Sequence, residues 1–218
     1  MKVVSFVSYH YRSFGRPEDR DAIWFVRALK RAGTAKTPAR RRLNPLCRLD
    51  TRNVAQALDW FGNLGALVVE IQRLPPPIVL VPIPNSDSLT GGVQISRTFA
   101  LAEAIAKRTK ITAMVWDILR WKRPQSPSHR GGTRDPERLC RELTLIRLPP
   151  NGTIVLVDDV VTTGGHILAA AAKLASVDIR CREAICVART ELSDHHTFSI
   201  KQVTFLSPTS LTLQLGIR

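Results

Sequence analysis

Long apolar runs are missing from this sequence. No stretch approaches the roughly 20 residues that a bilayer-crossing helix needs, and the apolar run in MKVVSFVSYHYRSFGRPEDR is too short for a secretory signal. No membrane partner is expected, and a cytoplasmic location follows as the default. Cysteine is sparse: Cys47, Cys140, Cys181 and Cys186 show no CxxC spacing, and a chain of 218 residues needs no disulfide staples. Free thiols are expected in place of bridges or zinc ligands. Internal repeats and low-complexity tracts are absent as well. Acidic residues are outnumbered, 18 against 32 basic ones. The resulting formal charge of +14 makes the surface attractive to phosphates, nucleic acid and acidic membranes without choosing among them.

What is present fits one globular domain, with 44% hydrophobic and 23% charged residues. Apolar residues recur at helical spacing over Asp21 to Arg31 and again over Asn53 to Arg73. The basic segment KTPARRRLNPLCR separates them, and Pro38 and Pro45 place Arg40, Arg41 and Arg42 on a loop, read either as solvated or as a nucleic-acid contact. Residues 1–75 are thus expected to form a small helical amino-terminal segment, closed by Pro75, Pro76 and Pro77, which cannot continue a helix.

Residues 76–218 read as the main α/β domain. IVLVPIP (78 to 84), ITAMVWDI (111 to 118), GTIVLVDD (152 to 159) and CREAICVA (181 to 188) suit buried parallel strands, being short and rich in β-branched residues. Ser96 to Lys107, Pro136 to Leu143 and His166 to Ala175 suit helices between them. Alternation of this kind predicts a doubly wound, mostly parallel sheet, because parallel neighbours need a crossover. Ligands collect beyond the carboxyl ends of such strands.

One segment carries chemistry. In IVLVDDVVTTGGH, residues 154 to 166, an apolar strand delivers Asp158 and Asp159 to the sheet edge, where adjacent carboxylates are tolerated opposite hydroxyl donors or positive charge. A ribose diol offers such hydroxyls. Thr162, Thr163, Gly164 and Gly165 then turn into the helix near His166, whose free N–H groups and dipole favour a phosphate. A plain helix cap accounts for TTGG but leaves the acidic pair unexplained.

This segment resembles the 5-phosphoribosyl-1-pyrophosphate (PRPP) signature of type I phosphoribosyltransferases. The resemblance extends toward the ComF-type subgroup through Tyr9 to Gly33, through VPIPNS as a diphosphate loop and through LRWKRPQSPSHR as a mobile loop. It implies that Asp158 and Asp159 hold the ribose hydroxyls and that Thr162, Thr163, Gly164, Gly165 and His166 hold the 5-phosphate. Ile83, Pro84, Asn85 and Ser86 would approach the diphosphate, with Lys122, Arg123 and Gln125 closing over it and Mg²⁺ bridging ligand oxygens. The implied activity is Mg-dependent transfer of phosphoribose to an acceptor nitrogen, with the acceptor unassigned and a homodimer as the commonest assembly. The ComF likeness also implies an alternative, a non-catalytic PRPP or nucleotide sensor with a basic nucleic-acid-binding surface.

Segment 119 to 134, with Arg120, Lys122, Arg123, Arg130 and Arg134 among proline, serine and glycine, reads as a lid. The sequence departs from the family pattern in three places. Thr162 stands where purine-salvage members carry an aspartate base, which argues against purine acceptors. The amino-terminal cysteine pairs of ComF-type proteins are missing, and the stretch after Pro84 supplies one arginine, Arg97. His195 and His196 read as a polar loop, and Trp116 as a core residue, with stacking on a base open to Trp116 and Trp121 at the lid.

Overall fold

The computed structural model describes residues 1–10, 23, 25–30, 54–92, 96–126, 132–191 and 202–205. Cys47, the basic loop with Arg40, Arg41 and Arg42, His129, Arg130, His195 and His196 lie outside them. Along the chain the elements are β1 (Lys2–His10), α1 (Val54–Ile71), β2 (Ile78–Pro82), α2 (Arg97–Ala106), β3 (Ala113–Val115) and β4 (Leu119–Trp121). There follow α3 (Pro136–Glu142), β5 (Leu143–Leu145), β6 (Thr153–Val161), α4 (Gly165–Ala175), β7 (Cys181–Glu191) and β8 (Gln202–Phe205). Residues 25–29 are also helical.

Five parallel strands and one antiparallel edge strand form the main sheet, in the order β3-β2-β6-β7-β1-β8. Strand β6 lies inside it and is buried on both sides, because successive side chains point to opposite faces. Val155 and Val157 join a cluster with Phe6, Phe25, Phe61, Leu101 and Ile105, while Leu156 joins Val79, Trp121, Leu139, Ile167 and Leu174. Helices α1 and α2 cover the first face, and α3 and α4 the second. The doubly wound, mostly parallel α/β sheet expected from the sequence is present.

The helix ends follow local chemistry. Ser96 caps α2, its Oγ accepting the Phe99 N–H at 3.1 Å. Asp135 caps α3 by accepting the Glu137 N–H at 3.1 Å, with Pro136 in the first turn, where its missing N–H does no harm.

Three expectations differ from what is observed. Lys2–His10 is a strand between β7 and β8, not part of a helical amino-terminal segment. Phe6 meets Phe61 edge-on at 5.6 Å, and both share a core with Ile78 and Leu80, so the boundary drawn near residue 75 does not separate two cores. The strand expected over 111 to 118 is confined to Ala113–Val115; the chain then leaves the sheet and forms the β4–β5 ribbon. Among the described residues no helix is long and apolar enough to cross a membrane, and Cys140, Cys181 and Cys186 are free thiols.

Candidate functional site

The site is built where β6 outruns β2. Pairing between them ends at Pro82 opposite Val157, with the Ile83 N–H donating to the Val157 carbonyl at 2.9 Å. Asp158 and Asp159 are the next two residues of β6, which continues to Val161 beside β7. The acids therefore sit within a strand, held by β7 on one side and open on the side that β2 has vacated.

The two carboxylates have different surroundings. Asp158 is buried, lines the pocket in front of α4, and accepts the Asp159 N–H at 2.8 Å. Burial first, and the neighbouring Asp159 charge second, raise its pKa to about 8. Asp159 instead faces cations: Arg97 lies 3.5 Å and Lys30 3.9 Å from its Oδ2. The nearby Tyr9 hydroxyl is pushed up to about 12 by burial and by the Asp159 charge, so it remains a donor.

The loop Thr162–Gly164 closes the same pocket. Gly164 takes the left-handed φ of 81° that a side chain would resist, and it begins α4 with no side-chain cap. A Cβ on Gly165 would collide with the Arg134 carbonyl, so glycine lets α4 approach the start of α3. The first-turn N–H groups of α4 consequently have the pocket in front of them, lined by Thr133, Arg134, Asp158, Thr162, Thr163 and His166 among others. Burial lowers the pKa of His166, against the pull of Asp159, which keeps its imidazole neutral at pH 7. Its ring meets Trp121 at 5.7 Å.

Asp158, Thr162, Thr163, Gly164, Gly165 and His166 are thus brought together at one pocket. Pro84, Asn85 and Ser86 are not among the residues that line it. The Pro84 carbonyl accepts from Trp121 Nε1 at 3.2 Å, Asn85 accepts from the Ser88 N–H, and Ser86 accepts from the Gln125 N–H at 2.9 Å. Lys122, Arg123 and Gln125 do not line the pocket. Arg123 is held by both oxygens of Glu142 at 2.8 Å, and Gln125 Nε2 donates to the Arg123 carbonyl. Arg120 is likewise tied to Asp117. The described first half of the expected lid is therefore docked by backbone pairing with β5 and the loop after β2, while Arg123 finds its partner at the end of α3 and Arg120 finds its own in Asp117.

Sequence reasoning missed Thr133 and Lys30 and gave Arg134 only a place among the lid cations. Nothing in the spacing marks them, since α3, α4 and the helical turn at 25–29 meet at the site only in three dimensions. Of the two tryptophans, both pack on the second core cluster, Trp116 at its edge and Trp121 within it. Trp121 is buried, whereas Trp116 carries Arg147 over its ring at 4.1 Å and donates to the Leu148 carbonyl at the surface.

The carboxylates do not fit a divalent cation held by protein oxygens. Asp159 is engaged by two side-chain cations, and Asp158 is buried with one oxygen accepting a backbone N–H. No group of three or more His, Cys, Asp or Glu side chains converges on a metal position among the described residues.

No protein-family model matches the sequence, and no curated protein matches it either. Among solved structures the chain is similar to a hypoxanthine phosphoribosyltransferase from Staphylococcus aureus, with 11% identity and a TM-score of 0.40 over 70% of this chain and 88% of that one. It is also similar to adenine phosphoribosyltransferases. That of Trypanosoma brucei, in complex with AMP, pyrophosphate and ribose-5-phosphate, is 15% identical with a TM-score of 0.41, over 87% of this chain and 91% of that one. That of Thermoanaerobacter pseudethanolicus is 14% identical with a TM-score of 0.38, over 65% and 87%. With scores this low, the fold assignment rests on the strand order and registers above.

Proposed function

We propose that the pocket at the end of β6 binds a 5-phosphorylated ribose and that the chain is a PRPP-dependent phosphoribosyltransferase. One observation carries the reading: an acidic pair inside β6 is followed within one turn by a glycine-bent loop whose helix start faces the same pocket as Asp158. Carboxylate oxygens accept hydrogen bonds from a diol, and uncapped helix N–H groups donate to a phosphate. In the transfer, the bond from C1 of the ribose to diphosphate breaks with its electron pair leaving on diphosphate, a C1–N bond forms, and the acceptor nitrogen loses a proton to solvent. Arg134, exposed at the pocket rim, is placed to balance negative charge there. Thr162 offers no base at neutral pH, so the acceptor must arrive with a free nitrogen lone pair.

Calorimetric titration with PRPP tests the binding step, and diphosphate release in the presence of amine acceptors tests turnover. Asp158→Asn with Asp159→Asn should weaken PRPP about thirtyfold or more, since a hydrogen bond to the charged Asp159 is worth about 1.5–3 kcal/mol and one to the protonated Asp158 about 0.5–1.5 kcal/mol. Wild-type affinity in that double variant would sink the proposal.

A second reading, a non-catalytic sensor that also docks nucleic acid, is favoured by one observation. Arg123 is committed to Glu142, away from the pocket, while Lys122, Arg141 and Lys173 lie on the α3 side near Cys140, with Glu137 pairing Arg141 at 3.4 Å. Anisotropy titrations of a fluorescent single-stranded oligonucleotide at two salt concentrations decide it. Counterion release demands a steep loss of affinity with salt, and no binding even at low salt removes the reading.

A further inference from the structure

The charge balance at Asp159 points to a property of the phosphoribosyl site. Two cations from distant parts of the chain meet one carboxylate oxygen. Lys30 follows the helical turn at 25–29, where Phe25, Val26, Ala28 and Leu29 are buried, and its own N–H donates to the Val26 carbonyl at 2.8 Å. Arg97 is the first residue of α2, so its backbone is set by the Ser96 cap. That cap is itself fixed. Ser96 Oγ lies 2.8 Å from Thr98 Oγ1, and Thr98 Oγ1 donates to the Ile83 carbonyl at 2.6 Å, at the start of the loop after β2. Both cations therefore stand on ordered backbone, and Arg97 Nε is buried with no hydrogen-bond partner, while the Lys30 side chain is more exposed.

A hydrated divalent ion approaching Asp159 would meet these two positive charges and be repelled. A diphosphate leaving group beside them would be attracted. We propose that Lys30 and Arg97 supply at Asp159 the countercharge that a divalent cation would otherwise bring, so that the site holds PRPP without Mg²⁺. The inference rests on the phosphoribosyl reading above and assigns Lys30 and Arg97 as positioning residues for it.

The test is calorimetric titration of PRPP into the whole chain in excess EDTA and in millimolar MgCl₂. The wild-type dissociation constant should agree between the two buffers within about threefold. Lys30→Met with Arg97→Gln should bind about tenfold or more weakly in EDTA and regain affinity with Mg²⁺, because the freed carboxylate can then take up a hydrated ion. Arg97→Lys, which keeps the charge, should remain independent of Mg²⁺. Circular dichroism melts verify that each variant is folded, and the wild-type comparison stands without any variant. Wild-type binding seen only with Mg²⁺ overturns the inference and leaves the phosphoribosyl reading intact. Equal loss in both buffers for the double variant overturns it too. Absence of binding in both buffers removes the reading and the inference together.

Discussion

Asp158 and Asp159 are neighbours with opposite electrostatic situations. Asp159 has two cations, whereas Asp158 has a buried pocket wall and a like charge beside it. Its folded pKa of about 8 lies well above the unfolded value near 4, so between those pH values the folded chain holds a proton that the unfolded chain has released. Stability from this group is therefore fully present below about pH 4 and is lost as pH rises toward about 8. Asp158→Asn removes the liability. The variant's advantage over wild type should grow as pH rises from about 5 to about 8, by at most about 1.4 kcal/mol per pH unit, read as the difference between their melting curves. A difference that does not vary with pH would contradict the placement of Asp158 in a desolvated pocket. The acidic pair was legible in the sequence because two charges ending an apolar strand are unusual. The division of labour between them was not, since Lys30 and Arg97 are far from it along the chain.

At the scale of elements, the junction of α3 with α4 decides the shape of the loop Thr162–Gly164. Gly165 approaches the Arg134 backbone, which cannot swing aside as a side chain could. Gly165→Ala should cost about 1–3 kcal/mol in urea denaturation and should displace the loop lining the pocket, lowering affinity for ribose 5-phosphate as well. Unchanged stability would mean that the helices are not in close contact there. The helix starts were readable, because Ser96, Asp135-Pro136 and the paired glycines are local signals with local physical causes. The β4–β5 ribbon was not, since three-residue strands carry too little periodicity. Arg123 and Gln125 were expected over the ligand but are held by that ribbon's surroundings, through Glu142 and Ser86.

For the whole molecule, β1 is the element that changes the architecture. It pairs with β7 over Lys2 to His10 and with β8, and its Phe6 packs against Phe61 of α1. The amino-terminal third thus contributes to the same core as Ile105, Val155 and Val157. Phe61→Ala should destabilise the chain by about 3–5 kcal/mol and shift one cooperative transition, followed by both fluorescence and circular dichroism. Two separate transitions, with the half that carries the β6 pocket unmoved, would show that residues before 75 fold apart. Strand β1 escaped sequence reading because Ser5 and Ser8, both buried, break its apolar run into short pieces.

Local order belongs to the sequence by itself: the alternation of strand and helix, the caps, and the juxtaposition of two acids with a Thr/Gly turn all follow from neighbours within a few residues. Which charges face those acids was decided only by the tertiary structure. Lys30, Arg97 and Arg134 reach one end of β6 from three separate segments, and chain folding alone brings such distant residues within reach of one another. The segment 154–166 specifies the pocket, and residues remote from it set the charge that the pocket presents.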